Sequence, residues 1–149
     1  MIDERRLWPL IEARAAETPD APLIVTDESG RSITFADYRD ACLRAAAGLA
    51  GLGIGEGSHV SWQLPTWIES MVLVGALSRL GAIQNPIIPI YRAREVGFAV
   101  KQTGAALLIV PSVWRGFDYE AMARDVAGGA DVLVADRELP EGDPSTLGP

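Results

Sequence analysis

Four apolar segments centred near Val60, Ile83, Leu107 and Val132 recur roughly 24 residues apart, and a helix-length segment fills each gap. Parallel strands need a crossover of a dozen or more residues, usually a helix, so this rhythm specifies βαβ units and a parallel sheet. The segment 106-ALLIV-110 is apolar throughout, as expected of a strand covered on both faces. Ahead of the rhythm, 22-PLIVTDESGRSIT-34 reads as two short strands around an Asp-Glu-Ser-Gly turn. The expected class is α/β, a doubly wound and mostly parallel sheet flanked by helices, with an N-terminal β-hairpin.

Helix signals fill the gaps. A first helix is expected around residues 4 to 16, with Pro9 in its opening turn. In 34-TFADYRDACLRAAAGLAGL-52, Tyr38, Cys42, Ala45, Leu49 and Leu52 form one amphipathic stripe, and Thr34 can cap its start. Thr66 and Glu69 have the spacing of a capping box, opening a helix 67–80 that is apolar around most of its circumference. Val96, Ala99, Val100 and Thr103 form the inward stripe of the next helix, closed by Gly104. Tyr119, Met122, Ala123 and Val126 form that of the last, closed by Gly128-Gly129.

Glycines at 48, 51, 53, 55 and 57 invite a phosphate-loop reading, but a phosphate loop follows a strand and opens a helix. Here the order is reversed. The run ends a helix and turns into the strand at His59, with Gly51 or Gly53 free to take positive φ, and no GxGxxG spacing is met.

A net charge of −7 opposes a nucleic-acid or anionic-membrane surface, which needs a basic face. The longest apolar run, 71-MVLVGAL-77, is too short to cross a bilayer, so no transmembrane segment and a cytoplasmic location are expected. The single cysteine, Cys42, lies on a helix stripe and reads as core rather than nucleophile. His59 has no Cys or His partner at ligand spacing and reads as a surface or turn residue, so no metal site is assigned.

Ligands of open α/β sheets bind beyond the carboxyl ends of the strands, here Pro65-Thr66, Asn85-Pro86, Pro111-Ser112 and Asp136. These positions hold no Ser or Cys paired with His, no acidic cluster for magnesium and no facing carboxylates, so no catalytic residue is assigned. Trp62, Trp67 and Trp114 read as packing residues.

One set of motifs is specific in its order and spacing: ITFADYRD, VSWQLPTWIE, LSRLGAIQNP, and YRAREVGFAVKQTGA leading into ALLIVP. Together, over roughly residues 5 to 136, they resemble the amino-terminal region of the adenylate-forming acyl-CoA synthetases. The form NPIIPIYRAREV looks closest to ligases for fatty, cyclic or aromatic carboxylic acids. The resemblance implies a reaction in which a carboxylate and ATP, with Mg, give an acyl-adenylate, and coenzyme A then takes the acyl group as a thioester. It also implies a Ser/Thr/Gly-rich phosphate loop and a catalytic lysine that this chain does not contain. Lys101, inside an early helix, cannot stand in for that lysine. The expected partner is therefore the remainder of the same polypeptide, with the chain inert and free of bound cofactor by itself.

In some relatives a basic residue near the turn after Asn85-Pro86 meets the nucleotide part of coenzyme A, which makes Arg92 the candidate cofactor-binding residue, with Arg94 beside it. The alternative is that these arginines are solvated at a helix start and pair with Glu95 or water. Residues 1–135 read as the α/β subdomain, and the tail 136-DRELPEGDPSTLGP-149, rich in proline, glycine and acids, as a linker or surface loop. A stand-alone binding or interaction module is the competing reading of the whole. Apolar groups between Ile83 and Tyr91 are expected to face water and to drive weak homodimerisation.

Overall fold

The computed structural model describes residues 6–24 and 26–148. They group into two interleaved units, one comprising Met1–Gly55, Thr66–Gly81 and Leu139–Pro149, the other Glu56–Pro65 and Ala82–Glu138.

The first unit is helical. Helix α1 (Leu7–Glu17) carries Pro9 as its third residue, where the missing N–H takes nothing from the ladder. Strands β1 (Pro22–Ile24) and β2 (Ile33–Thr34) pair antiparallel as the expected hairpin. Helix α2 (Phe35–Gly51) starts where Thr34 Oγ1 accepts the Asp37 N–H at 3.1 Å. It packs along α3 (Ile68–Arg79) through fully buried Cys42, Leu49, Leu73 and Leu77. Burying side chains of this size contributes about 1.5–3 kcal/mol each for the larger ones. The stripe on α2 stops at Leu49, because the helix ends and Leu52 is 54% exposed. Gly53, at φ 85°, then reverses the chain, so the glycine run is a helix stop.

The expected capping box at α3 is absent. The helix begins after Trp67 with no side-chain cap, and Glu69 turns instead to the guanidinium of Arg31 at 2.8 and 2.9 Å. A distant arginine outcompetes the local cap because it offers two charge-assisted bonds to both carboxylate oxygens. Trp67, 5% exposed, likewise donates its Nε1–H to Glu28 at 2.6 Å. The tail lies along α2: the Gly142 N–H donates to Arg44 O at 2.9 Å, and Gly48 faces the Pro140 backbone so closely that a Cβ would overlap it.

The second unit is a four-stranded parallel sheet in the order β4-β3-β5-β8, with β3 His59–Trp62, β4 Ile83–Pro86, β5 Leu107–Val110 and β8 Asp131–Val134. All four strands lie where the apolar rhythm places them, and every residue of β5 is buried. Helices α4 (Ala93–Thr103) and α5 (Tyr119–Val126) pack on the sheet through Val96, Val100, Leu108, Val110, Tyr119 and Met122. His59 follows the turn at the glycine run, where the strand is expected to begin. It opens β3 half-buried, in register with Ile83. A second hairpin, β6 (Val113–Trp114) and β7 (Phe117–Asp118), precedes α5. Its tip residues Arg115 and Gly116 both have positive φ, 48° and 77°, as a tight two-residue hairpin turn requires.

Candidate functional site

The chain runs from β3 outward to β4 and then crosses to β5 on the other side of β3, so the order of connection reverses between β3 and β5. The carboxyl ends at such a reversal are where open α/β sheets hold ligands. Here they carry Gln63, the segment 87–91, Ser112 and Asp136.

Gln63 follows β3 and is fully buried. Its Nε2 donates to Ile88 O at 2.9 Å and Tyr91 O at 3.0 Å. These two bonds fix the amide orientation and leave Oε1 buried without a donor. An unpaired buried acceptor costs about 1–3 kcal/mol, so the geometry of segment 88–91 is held against an opposing term. The same segment is gripped from outside. Arg92 Nη1 donates to Pro89 O at 2.7 Å and Tyr91 O at 3.0 Å, and the Tyr119 hydroxyl donates to Pro89 O at 2.8 Å. The Arg92 guanidinium lies 4.1 Å from the Phe117 ring centre and 5.7 Å from that of Tyr119. Phe117 and Tyr119 meet edge to face at 4.9 Å. Arg92 is thus stacked as well as hydrogen-bonded, the environment for which a planar guanidinium is suited and an ammonium is not.

Neither arginine singled out from sequence pairs with Glu95. That carboxylate accepts the Arg92 backbone N–H at 3.3 Å and caps α4, while Arg94 stands exposed at the rim of a groove of about 910 Å³. Asn85, Ile88, Tyr91 and Phe98 line that groove. The Asn85 Nδ2 donates to Ser61 Oγ at 3.0 Å across the β3–β4 pair.

At the other strand ends, Asp136 accepts the Ser112 N–H at 2.8 Å through Oδ1 and the Ser112 hydroxyl through Oδ2. It latches the loops after β5 and β8. Cys42 lies in the helical unit, fully buried, its S–H directed at Val72 O at 3.5 Å and its thiol pushed up to about 12 by burial. A thiol so far above neutral pH is not a nucleophile. Trp114 carries Arg115 over its ring at 4.4 Å.

Gly53 and Gly57 turn the chain after a helix instead of opening one, and no cluster of three His, Cys, Asp or Glu able to hold a metal ion occurs among the described residues. No helix among them is long and apolar enough to cross a membrane. What the strand ends do contain is a rigidly built loop, a stacked arginine and a partly apolar groove. Sequence reading singles out Arg92 as a candidate but not Gln63, whose partners lie 25 and 28 residues away.

Comparison with known proteins identifies the chain's relatives. Over 102 residues it is 40% identical to 4-coumarate–CoA ligase 2 of Oryza sativa subsp. japonica, covering 68% of this chain and 18% of that protein. Over 144 residues it is 36% identical to salicyl-AMP ligase / salicyl-S-ArCP synthetase of Mycobacterium tuberculosis, covering 94% of this chain and 25% of that one. It therefore spans about a fifth to a quarter of the length of these relatives. Among solved structures, a Mycobacterium tuberculosis fatty acyl CoA synthetase superposes with a TM-score of 0.80 at 22% identity, over 96% of this chain and 30% of that one. The o-succinylbenzoate CoA synthetase of Bacillus subtilis gives 0.74 at 21% identity, over 92% and 34%. The AMP-binding enzyme family matches residues 11–146, and the chain belongs to that family of adenylate-forming ligases.

Proposed function

We propose that this chain is the amino-terminal part of an ATP-dependent carboxylic acid–CoA ligase, with residues 1–135 as its α/β subdomain and 136–149 as the connection to the rest of the enzyme. The observation that carries the reading is the family match across residues 11–146. The relatives' names, ligases of 4-coumarate, salicylate, 2,3-dihydroxybenzoate and a substituted naphthoate, favour an aromatic acid within the wider class of fatty, cyclic and aromatic acids. In the proposed activity the carboxylate becomes an acyl-adenylate and then a coenzyme A thioester, in the cytoplasm. ATP, Mg and most of the acyl site belong to polypeptide outside these residues. The chain by itself is proposed to be inactive, since no helix-opening glycine loop for a phosphate occurs among the described residues. Arg92 is proposed to contribute to coenzyme A binding with the guanidinium edge left over from its contacts to Pro89, Tyr91 and the two rings.

The test is carboxylate-dependent exchange of pyrophosphate into ATP by the protein encoded by the whole reading frame containing this chain, across aryl and fatty acids. Coenzyme A is then added and the thioester followed by mass. Exchange by the whole protein and none by the 149-residue chain is expected. No exchange with any acid would overturn the ligase reading. Exchange without a coenzyme A thioester, but with loading of a carrier protein, would overturn the acceptor. Exchange by the 149-residue chain alone would overturn its proposed inactivity.

A further inference from the structure

Helix α4 turns Val96 and Val100 inward, and its opposite face carries Arg94, Glu95, Phe98, Lys101 and Gln102, all exposed. This spacing of i, i+1, i+4, i+7 and i+8 is a complete helical stripe. At its centre Phe98 is 66% exposed, beside Ile88 at 51% and Tyr91 at 44% along the groove. Large apolar groups clustered on one face mark an interaction surface.

We propose that this face pairs with α4 of a second copy of the chain, antiparallel, about a two-fold axis through Phe98. The order of charges about Phe98 is self-complementary, which suits a second copy, and it selects the direction. With residue numbers summing to 196 across the axis, Phe98 meets its own copy, Glu95 meets Lys101 of the partner subunit, and Arg94 meets Gln102 of the partner subunit. The two-fold repeats each contact, as an isologous interface demands. A parallel pairing would set Arg94 and Lys101 each against its own kind. Pairing through the open edge of β4 is disfavoured. Ile83 and Ile87 donate toward β3, so Pro86 points outward and offers no N–H. The chain's net charge of −7 opposes association, but this face carries Arg94 and Lys101 against a single Glu95. The repulsion is therefore distant and screened beyond about 8–10 Å in ordinary salt. One helix pair with its flanks falls short of the roughly 800 Å² per partner of a stable interface, so the dimer is weak, with Kd on the order of 100 µM.

Sedimentation equilibrium from about 10 µM to about 1 mM reads this directly. The wild type is expected to dimerise. Lys101→Glu sets Glu95 against a second acid, and Glu95→Lys sets Lys101 against a second base, so each alone is expected to be monomeric. An equimolar mixture is expected to associate at least as well as the wild type, because both cross-axis pairs then have opposite charge. Phe98→Ala is expected to weaken the dimer about tenfold or more, a loss of one large apolar contact. Because Glu95 caps α4, a probe that spares it is included: a nitroxide on Gln102→Cys, with Cys42 buried and inert, should broaden the Arg94 and Glu95 amides of unlabelled copies. A wild type monomeric throughout the range would overturn the proposal. So would single variants that associate normally, a mixture that stays monomeric, or broadening absent from residues 94 and 95.

Discussion

Arg31 and Glu69, 38 residues apart, meet fork to fork, with Nη1 on Oε1 at 2.8 Å and Nη2 on Oε2 at 2.9 Å. The same guanidinium reaches Asp27 Oδ2 at 3.1 Å, so one arginine ties the β1–β2 turn to the first turn of α3. Glu69 is 13% exposed and Arg31 44%, which places the pair between a surface and a buried ion pair. Arg31→Ala should lower stability by about 1 kcal/mol, and Arg31→Lys should lose most of that too because an ammonium cannot make the two parallel bonds. Urea denaturation at low and moderate salt checks both, with a smaller difference expected at higher salt.

The turn held by that arginine also sets an acid response. The Ser29 hydroxyl, at 2.6 Å, is the main cause holding the Asp27 carboxyl well below the ordinary carboxylate range, with the Ser29 and Arg31 backbone N–H groups and the Arg31 charge adding to it. A depressed folded-state pKa means that Asp27 contributes stability at pH above the unfolded value of about 3.9, and that this contribution fades as pH falls below it. Carboxyl NMR should find Asp27 still ionised well below the ordinary aspartate value of about 3.9. Ser29→Ala should move its titration upward and make acid unfolding begin at higher pH.

Gln63 should be irreplaceable by its acidic counterpart. In Gln63→Glu an ionised carboxylate would face the Ile88 and Tyr91 carbonyl oxygens that now accept from Nε2. Two lost donors and a buried unpaired charge imply a loss of about 3–5 kcal/mol. The substituted Glu would have a raised folded-state pKa, since protonation restores one donor, so stability of the variant should fall as pH rises above about 4.3 and level off beyond the raised value. Hydrogen exchange of the Tyr91 amide, which donates to Ile88 O at 3.2 Å, reports the segment directly. A Gln63→Glu variant as stable as wild type at neutral pH would show that segment 88–91 is held chiefly by Arg92 and Tyr119.

The contrast between Gln63 and the strands explains what sequence makes legible. β3, β4, β5 and β8 are local apolar runs separated by helix-length gaps, so their places follow from spacing alone. Thr34 caps α2 as expected because donor and acceptor are three residues apart. Glu69 has the spacing of a cap but serves another partner, 38 residues away in sequence and invisible to a local pattern. The β6–β7 hairpin escapes a periodicity reading because two-residue strands carry no period, although Arg115-Gly116 is a turn signal. Arg92 stands out by residue type, but its stacking on Phe117 depends on that hairpin.

The closest approach of α2 and α3 is set by Gly75. A Cβ there would overlap Cys42 Sγ and lie 2.8 Å from the Tyr38 hydroxyl oxygen. That hydroxyl is itself fixed, donating to Met71 O at 2.8 Å, so it cannot swing aside without losing a bond in a nearly closed environment. Gly75→Ala improves helix propensity by about 1 kcal/mol, but forcing a methyl into this contact costs about 1–3 kcal/mol or more, so the net effect should be destabilising. Cys42→Ala opens space on the facing helix, and in the Gly75→Ala background it should recover part of the loss despite being destabilising alone. The two changes are then coupled, with an interaction energy of about 1 kcal/mol or more in a double-mutant cycle of urea midpoints. Thiol labelling gives a second reading. In the wild type, burial and the raised pKa of about 12 should make Cys42 react only through unfolding, whereas in Gly75→Ala the separated helices should expose it faster. Additive free energies with unchanged labelling would mean that α3 shifts along its axis to accommodate the methyl and that the helix contact is not fixed at Gly75.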